Sequence, residues 1–203
     1  MKLTKLITWL LALLIPVLLL MLFSCGDNPL SNEFSPDRIG YTTDEINWIS
    51  WQPGVIETMH DQSLARGFAG KYLTRNNGGK VGGWITFDNK VKIKRKALPA
   101  DTYVSVEVMC VDVDGDEQCG AQVQFLPSMQ FDKNIKIQLS WAWLDLTDDE
   151  SADFDPTVYW SDDGGANWYV IDNCHVNYNK QTIKFRVDHF TIFAWGEAPP
   201  SGE

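Results

Sequence analysis

The sequence predicts an all-β fold, an antiparallel β-sandwich, preceded by a helical signal segment and a flexible spacer. Three observations predict it. From Asn76 onward turn signals recur at short intervals. The runs between them alternate apolar and polar residues with a period of two. No stretch after residue 60 carries helical periodicity of useful length.

The first element is an address and not part of that fold. Lys2 and Lys5 precede an uncharged run from Leu6 to Phe23, which ends on Ser24-Cys25 and the turn residues Gly26-Asp27-Asn28-Pro29. A basic start followed by an apolar run is the pattern of an export signal. The junction Leu22-Phe23-Ser24-Cys25 resembles a bacterial lipobox, with Phe23 bulkier than is usual at its place. That resemblance implies cleavage before Cys25, a diacylglycerol on its sulfur and an acyl chain such as palmitate on its freed amine. An uncleaved single-pass anchor is the alternative, because roughly 17 to 25 apolar residues suffice to span a bilayer. Either way the remainder is exported. Gly26, where sorting rules of Gram-negative lipoproteins place aspartate for inner-membrane retention, implies an outer-membrane, cell-envelope location.

Cleavage before Cys25 leaves 179 of the 203 residues, enough for one domain. It also removes two lysines and takes the net charge from −10 to −12. So acidic a surface repels phosphate backbones, which argues against nucleic acid as a partner. Residues 25–38 read as a lipidated terminus and spacer, rich in Asn, Pro, Ser and Asp. Residues 39–75 fit neither period and read as an irregular extension, with Ile46, Trp48, Ile49, Trp51, Val55 and Ile56 as its apolar content. The sandwich is expected over 76–196 and a tail over 197–203.

Within 76–196 each strand has its own reason. Asn76-Asn77-Gly78-Gly79 and Gly82-Gly83 are turns, and Trp84-Ile85-Thr86-Phe87 runs between them and Asp88-Asn89. Val91 and Ile93 then share one face, with Lys90, Lys92, Lys94 and Lys96 on the other. Val104, Val106, Val108 and Cys110 share a parity, as do Cys119, Ala121, Val123 and Phe125 after an acidic loop. These two runs form an expected hairpin with both cysteines inward. Ile135, Ile137, Leu139, Trp141 and Trp143 alternate with Lys136, Gln138, Ser140 and Ala142. Val158-Tyr159-Trp160, Trp168 to Ile171 and Ile183 to Asp188 follow. Phe190 to Trp195 is apolar on both faces and therefore expected at the centre of a sheet.

Several of these residues occur in an order that resembles the ZU-five domain, the family of zonula occludens proteins and Unc-five netrin receptors. They are the glycines at 78, 79 and 83, Lys96-Ala97-Leu98-Pro99, Phe125-Leu126-Pro127, Phe131-Asp132-Lys133-Asn134, Tyr159-Trp160-Ser161-Asp162-Asp163-Gly164 with Trp168, and Asp188-His189-Phe190-Thr191. The resemblance covers about Asn76 to Gly196. It implies a β-sandwich used for protein contacts. The chain departs from the family at Ile93-Lys94-Arg95-Lys96-Ala97-Leu98, where a proline and a glycine are usual.

The same resemblance supplies one candidate chemistry. In some relatives a His-Phe-Ser at this place cleaves itself, which makes His189 a candidate base and Thr191 a candidate nucleophile for scission of Phe190-Thr191. A hydrogen-bonded histidine and a β-branched strand threonine explain the tripeptide more simply, because scission also needs a strained peptide. Asp112, Asp114 and Asp116 have the alternate carboxylates of a calcium loop, but Gly115 stands one place early and no glutamate closes the pattern. The stretch Asp145 to Asp155 is a second acidic loop. Solvated loops of like charge are commoner than calcium sites. Three histidines and few cysteines leave little for zinc.

Ser161, Asp163, Gly165 and Trp168 fit an Asp-box hairpin, and a single copy is a structural device. Of the nine tryptophans, only Trp48 and Trp51 lack an assignment to leader, core or turn, which keeps a sugar-binding surface among the readings. Cys110 and Cys119 are expected to form a disulfide in an oxidising compartment, leaving Cys174 buried and free. The four lysines at 90, 92, 94 and 96 are a candidate contact surface for an acidic partner. Screening by Glu107 and loop carboxylates, or protection of a strand edge, would explain them without one. The sequence thus predicts a non-catalytic, membrane-anchored module that meets an envelope protein or polysaccharide, with sugar binding and self-cleavage as alternatives.

Overall fold

The computed structural model describes residues 40–60, 66–112, 119–147 and 154–197. The leader, Cys25, the spacer, Asp114, Asp116 and the tail from residue 198 lie outside these ranges. The described chain is a sandwich of two antiparallel sheets, as the alternation predicts. The strands are β1 (Phe68–Leu73), β2 (Gly79–Gly82), β3 (Lys90–Ile93), β4 (Thr102–Asp112), β5 (Cys119–Leu126), β6 (Gln130–Ser140), β7 (Thr157–Ser161), β8 (Tyr169–Val170), β9 (His175–Asn177), β10 (Thr182–His189) and β11 (Ile192–Gly196). The first sheet has the order β1-β4-β5-β11-β7-β8, and the second β2-β3-β6-β10-β9.

The inward parity of each strand builds the core. Val91, Ile135, Ile137 and Phe185 of the second sheet meet Val106, Val123, Phe193 and Trp195 of the first in one buried cluster. Burial of each such side chain contributes about 1.5–3 kcal/mol. Phe190 packs edge-on against Phe131 at 4.7 Å and stacks on Phe125 at 5.8 Å. β11 is central, between β5 and β7, and both its faces are apolar because the core lies on one and Ile46 and Trp48 pack over Ala194 and Ile192 on the other.

The stretch 39–75 is more than an extension. β1 pairs with β4 over six residues, from Phe68↔Glu107 to Leu73↔Thr102, so the expected boundary at Asn76 falls inside the sandwich. Further upstream, β5 and β11 pair only as far as Ala194↔Gln122. Ile49 enters where they part: its N–H donates to the Trp195 carbonyl at 3.0 Å and its own carbonyl accepts from Ala121 N–H at 2.7 Å. Trp51 behind it is 1% exposed, with its indole N–H on the Met109 carbonyl at 2.9 Å. A short helix, α1 (Pro53–His60), follows with proline at its first position, and buries Val55 against the core. No period is visible here because single residues bridge two strands instead of forming a ladder of their own.

Residues Tyr41 to Trp48 cover the outer face of β7, β8 and β11. Ile46, Tyr159, Trp168 and Ala194 form a second small core there, with Tyr41 and Trp48 packed on it. The Asp-box supports this contact as a structural device. The Asp163 carboxylate accepts from Ser161 Oγ at 2.8 Å, from Asn167 N–H at 3.0 Å and from Asn167 Nδ2 at 2.7 Å. The bonds from Asn167, then the smaller one from Ser161, hold its carboxyl down at about 2.

The span Trp84 to Thr86, expected as strand, is a 3-10 turn. Gly78 and Gly82 explain the tight course on either side of β2: both have positive φ, and a Cβ would overlap the carbonyls of Ile93 and Asn89 respectively. Asn89 is fully buried yet satisfied, its Nδ2 donating to the Thr86 carbonyl at 2.9 Å and its Oδ1 accepting from Ser140 N–H at 3.0 Å. That bond ties the β2–β3 loop to the end of β6 and presents Trp84, 72% exposed, to solvent. Trp84 thus stands on a turn and not in a strand, with the Arg66 guanidinium 5.8 Å from its ring.

Candidate functional site

The lysine-rich strand is flanked on both sides. β3 pairs with β2 and with β6, so its lysines do not guard an edge. Glu107 belongs to β4 in the other sheet and cannot screen them. Only Lys90 and Lys92 lie within β3. Lys94 and Lys96 sit in the turn beyond Ile93, where Lys96 takes φ 59, so the expected stripe along one strand is corrected to a pair plus two turn residues.

What the sheet order adds runs across the strands. Lys92 is opposite Lys80 on β2 and Lys136 on β6, and Lys136 is opposite Arg186 on β10. One row of four cations thus crosses four adjacent strands, which at about 4.8 Å between strands is about 14 Å long. All four alternate with core residues, Val81, Val91, Ile135 or Ile137, and Val187, so they stand on the outer face. The next row, one pleat toward the β2–β3 loop, reads Gly82, Lys90, Gln138, Lys184, His175. Partial burial, then the charges of Lys80, Lys184 and Lys180, push the Lys90 ammonium below the usual lysine range, with Asp88 opposing. Among the described residues, no carboxylate lies within salt-bridge distance of Lys80, Lys92 or Lys136.

Lys80, Lys136, Lys184 and Arg186 were not singled out by sequence. Their outward parity on β6 and β10 is visible in the alternation, but their adjacency follows only from which strands pair.

A second exposed feature lies on the first sheet. Tyr72 of β1 and Tyr103 of β4 are directly opposite, 62% and 53% exposed, and Phe68 is exposed farther along β1. Gly70 sits beneath the Tyr103 ring, where a Cβ would overlap its hydroxyl. Trp48 and Trp51, the unassigned pair, contribute nothing to this surface: Trp51 is core, and Trp48 packs on Trp168 at 4.9 Å.

The candidate scission residues are engaged separately. Thr191 is buried and its hydroxyl donates to the Ser161 carbonyl. His189 bonds Asp188 through Nδ1 at 2.8 Å and meets the Trp160 ring edge-on at 5.6 Å. Phe190 N–H donates to the Met129 carbonyl at 3.1 Å. No bond joins His189 to Thr191 among the described residues, so the threonine hydroxyl is committed to a carbonyl and not to a base.

For the cysteines, the β4–β5 register places Cys110 opposite Ala121 and Cys119 opposite Asp112, two positions apart along the hairpin. Cys110 keeps the parity of Val108 but lies beyond the end of the core and is exposed, which corrects its expected inward burial. Cys174 is a free thiol, as expected, but exposed, in the connection between β8 and β9. Among the described residues no group of acidic, histidine or cysteine side chains is arranged to hold a metal, and no helix is long and apolar enough to cross a membrane. Comparison with protein-family models and with curated proteins finds no match.

Proposed function

We propose that this chain is an exported, lipid-anchored and non-catalytic binding module of the cell envelope. Its lipid is carried on Cys25, and its β-sandwich, of the ZU-five kind, meets an acidic partner through the outer face of the second sheet. The observation that carries this reading is the alignment of Lys80, Lys92 and Lys136 on three adjacent strands without a carboxylate within salt-bridge distance among the described residues. Like charges directly opposite each other weaken a sheet. On a chain of net charge −10, with acidic side chains plentiful, folding alone gives no reason to gather cations there. A partner that brings the opposite charge does.

The test is crosslinking in the native envelope, comparing wild type with Lys80→Gln/Lys92→Gln/Lys136→Gln. Loss of a specific adduct, at equal protein level and equal membrane fraction, supports the reading; an unchanged adduct pattern removes this face from consideration.

A second reading rests on the opposed rings of Tyr72 and Tyr103. Two exposed aromatic faces on adjacent strands, floored by Gly70, form a platform of the kind that stacks on a neutral sugar. Tyr72→Ala together with Tyr103→Ala would abolish binding to a neutral glycan if this platform is the contact surface.

A further inference from the structure

We propose that the outer face of the second sheet binds a linear acidic polysaccharide, with successive ring carboxylates on the row Lys80, Lys92, Lys136 and Arg186 and ring hydroxyls on the row Lys90, Gln138, Lys184 and His175. The proposal rests on the reading of this face as the contact surface and names its ligand class.

Three features lead to it. The cations run in single file across strands, so the positive charge has the shape of a line about three strand spacings long and one residue deep. A polyanion with one charge per sugar ring follows such a line, because a ring is about as long as the strand spacing of about 4.8 Å. The second row is mixed: between Lys90 and Lys184 stands the Gln138 amide, and beyond Lys184 the exposed His175 imidazole. Gln138 Nε2 already donates to the Asp88 carbonyl at 3.2 Å, which leaves its Oε1 to accept from the hydroxyls that a sugar ring offers beside its carboxylate. The His175 imidazole carries one ring nitrogen to donate and one to accept. An acidic peptide offers backbone amides and a bilayer offers headgroup hydroxyls, but neither repeats several hydroxyls beside every charge along a single line. Finally, one exposed ring stands beside each edge strand of this sheet, Trp84 after β2 and Tyr178 after β9, where a chain leaving the rows on either side would meet an aromatic ring.

The experiment uses the purified full chain in detergent. Binding is measured to polyglucuronate, with dextran, poly-L-glutamate and phosphatidylglycerol vesicles as comparison probes. Expected is binding to polyglucuronate that weakens with added salt, with little binding to dextran. Lys80→Gln/Lys92→Gln/Lys136→Gln should raise the dissociation constant about tenfold, the sum of several solvent-screened contacts. Gln138→Ala should weaken polyglucuronate binding and leave any residual poly-L-glutamate binding unchanged. The corresponding triple arginine variant keeps the charge and should keep binding, and a thermal melt of each variant separates lost contact from lost fold. Equal or tighter binding to poly-L-glutamate or to the vesicles overturns the ligand class. So does a triple glutamine variant that loses its envelope adduct when wild type never bound polyglucuronate; the face then stands as a contact surface for another partner. Unchanged binding in a folded triple glutamine variant overturns both the ligand and the face.

Discussion

Lys92 and Lys136 stand directly opposite each other on adjacent antiparallel strands, with Lys80 on the far side of Lys92. Three ammonium groups in line repel one another, so Lys92→Gln should stabilise the folded chain by about 0.2–1 kcal/mol at low salt. In about 1 M salt, where the Debye length is about 3 Å, the gain should shrink toward zero. Urea denaturation at two ionic strengths measures this. A loss of stability at low salt would mean that the row is not self-repelling.

Trp51 joins the amino-terminal segment to the sandwich through its burial and its bond to Met109. Trp51→Ala should cost about 3–5 kcal/mol, the usual range for a fully buried tryptophan. A denaturation midpoint close to wild type would show that residues 40–52 are dispensable to the core.

Asp163 makes stability depend on pH. Its folded pKa, held at about 2, lies below the ordinary aspartate value of about 3.9, so its contribution is present above about pH 4 and is lost as pH falls through 2. The carboxylate is exposed and screened by water, so Asp163→Ala should cost only about 1 kcal/mol at pH 6. The difference from wild type should shrink from about pH 4 downward and vanish only below about pH 2, in urea melts run across that range. A difference independent of pH would assign the loss to backbone geometry instead.

Cys110 and Cys119 sit two register positions apart on one hairpin. A disulfide between them would close a loop of eight residues and contribute roughly 2–3 kcal/mol. Peptide mapping without reductant should find the two peptides linked and Cys174 alkylatable. Recovery of Cys110 as a free thiol from exported protein would exclude the bond.

For the anchor, mass spectrometry of the mature amino-terminal peptide should show an acylated Cys25, and Cys25→Ala should block both processing and lipidation. An unmodified mature peptide that starts upstream of residue 25 would instead identify an uncleaved membrane span.

The sequence by itself determined the class of the fold and the inward face of most strands, because a period of two is written locally in Val91 and Ile93, in Ile135 and Ile137, and in Phe185 and Val187. It also determined the Asp-box, whose bonds join residues at most four apart. Only the tertiary structure decided the rest. Ile49 and Trp51 belong to the core because two strands diverge around them, a gap that no local pattern encodes. Cys110 has the right parity and is still exposed, since parity says which way a side chain points and not whether anything lies over it. The basic rows follow from the pairing of β2, β3, β6 and β10, separated by up to about a hundred residues of chain. Charge adds up across a sheet through strand order, which is set by how the whole apolar core closes.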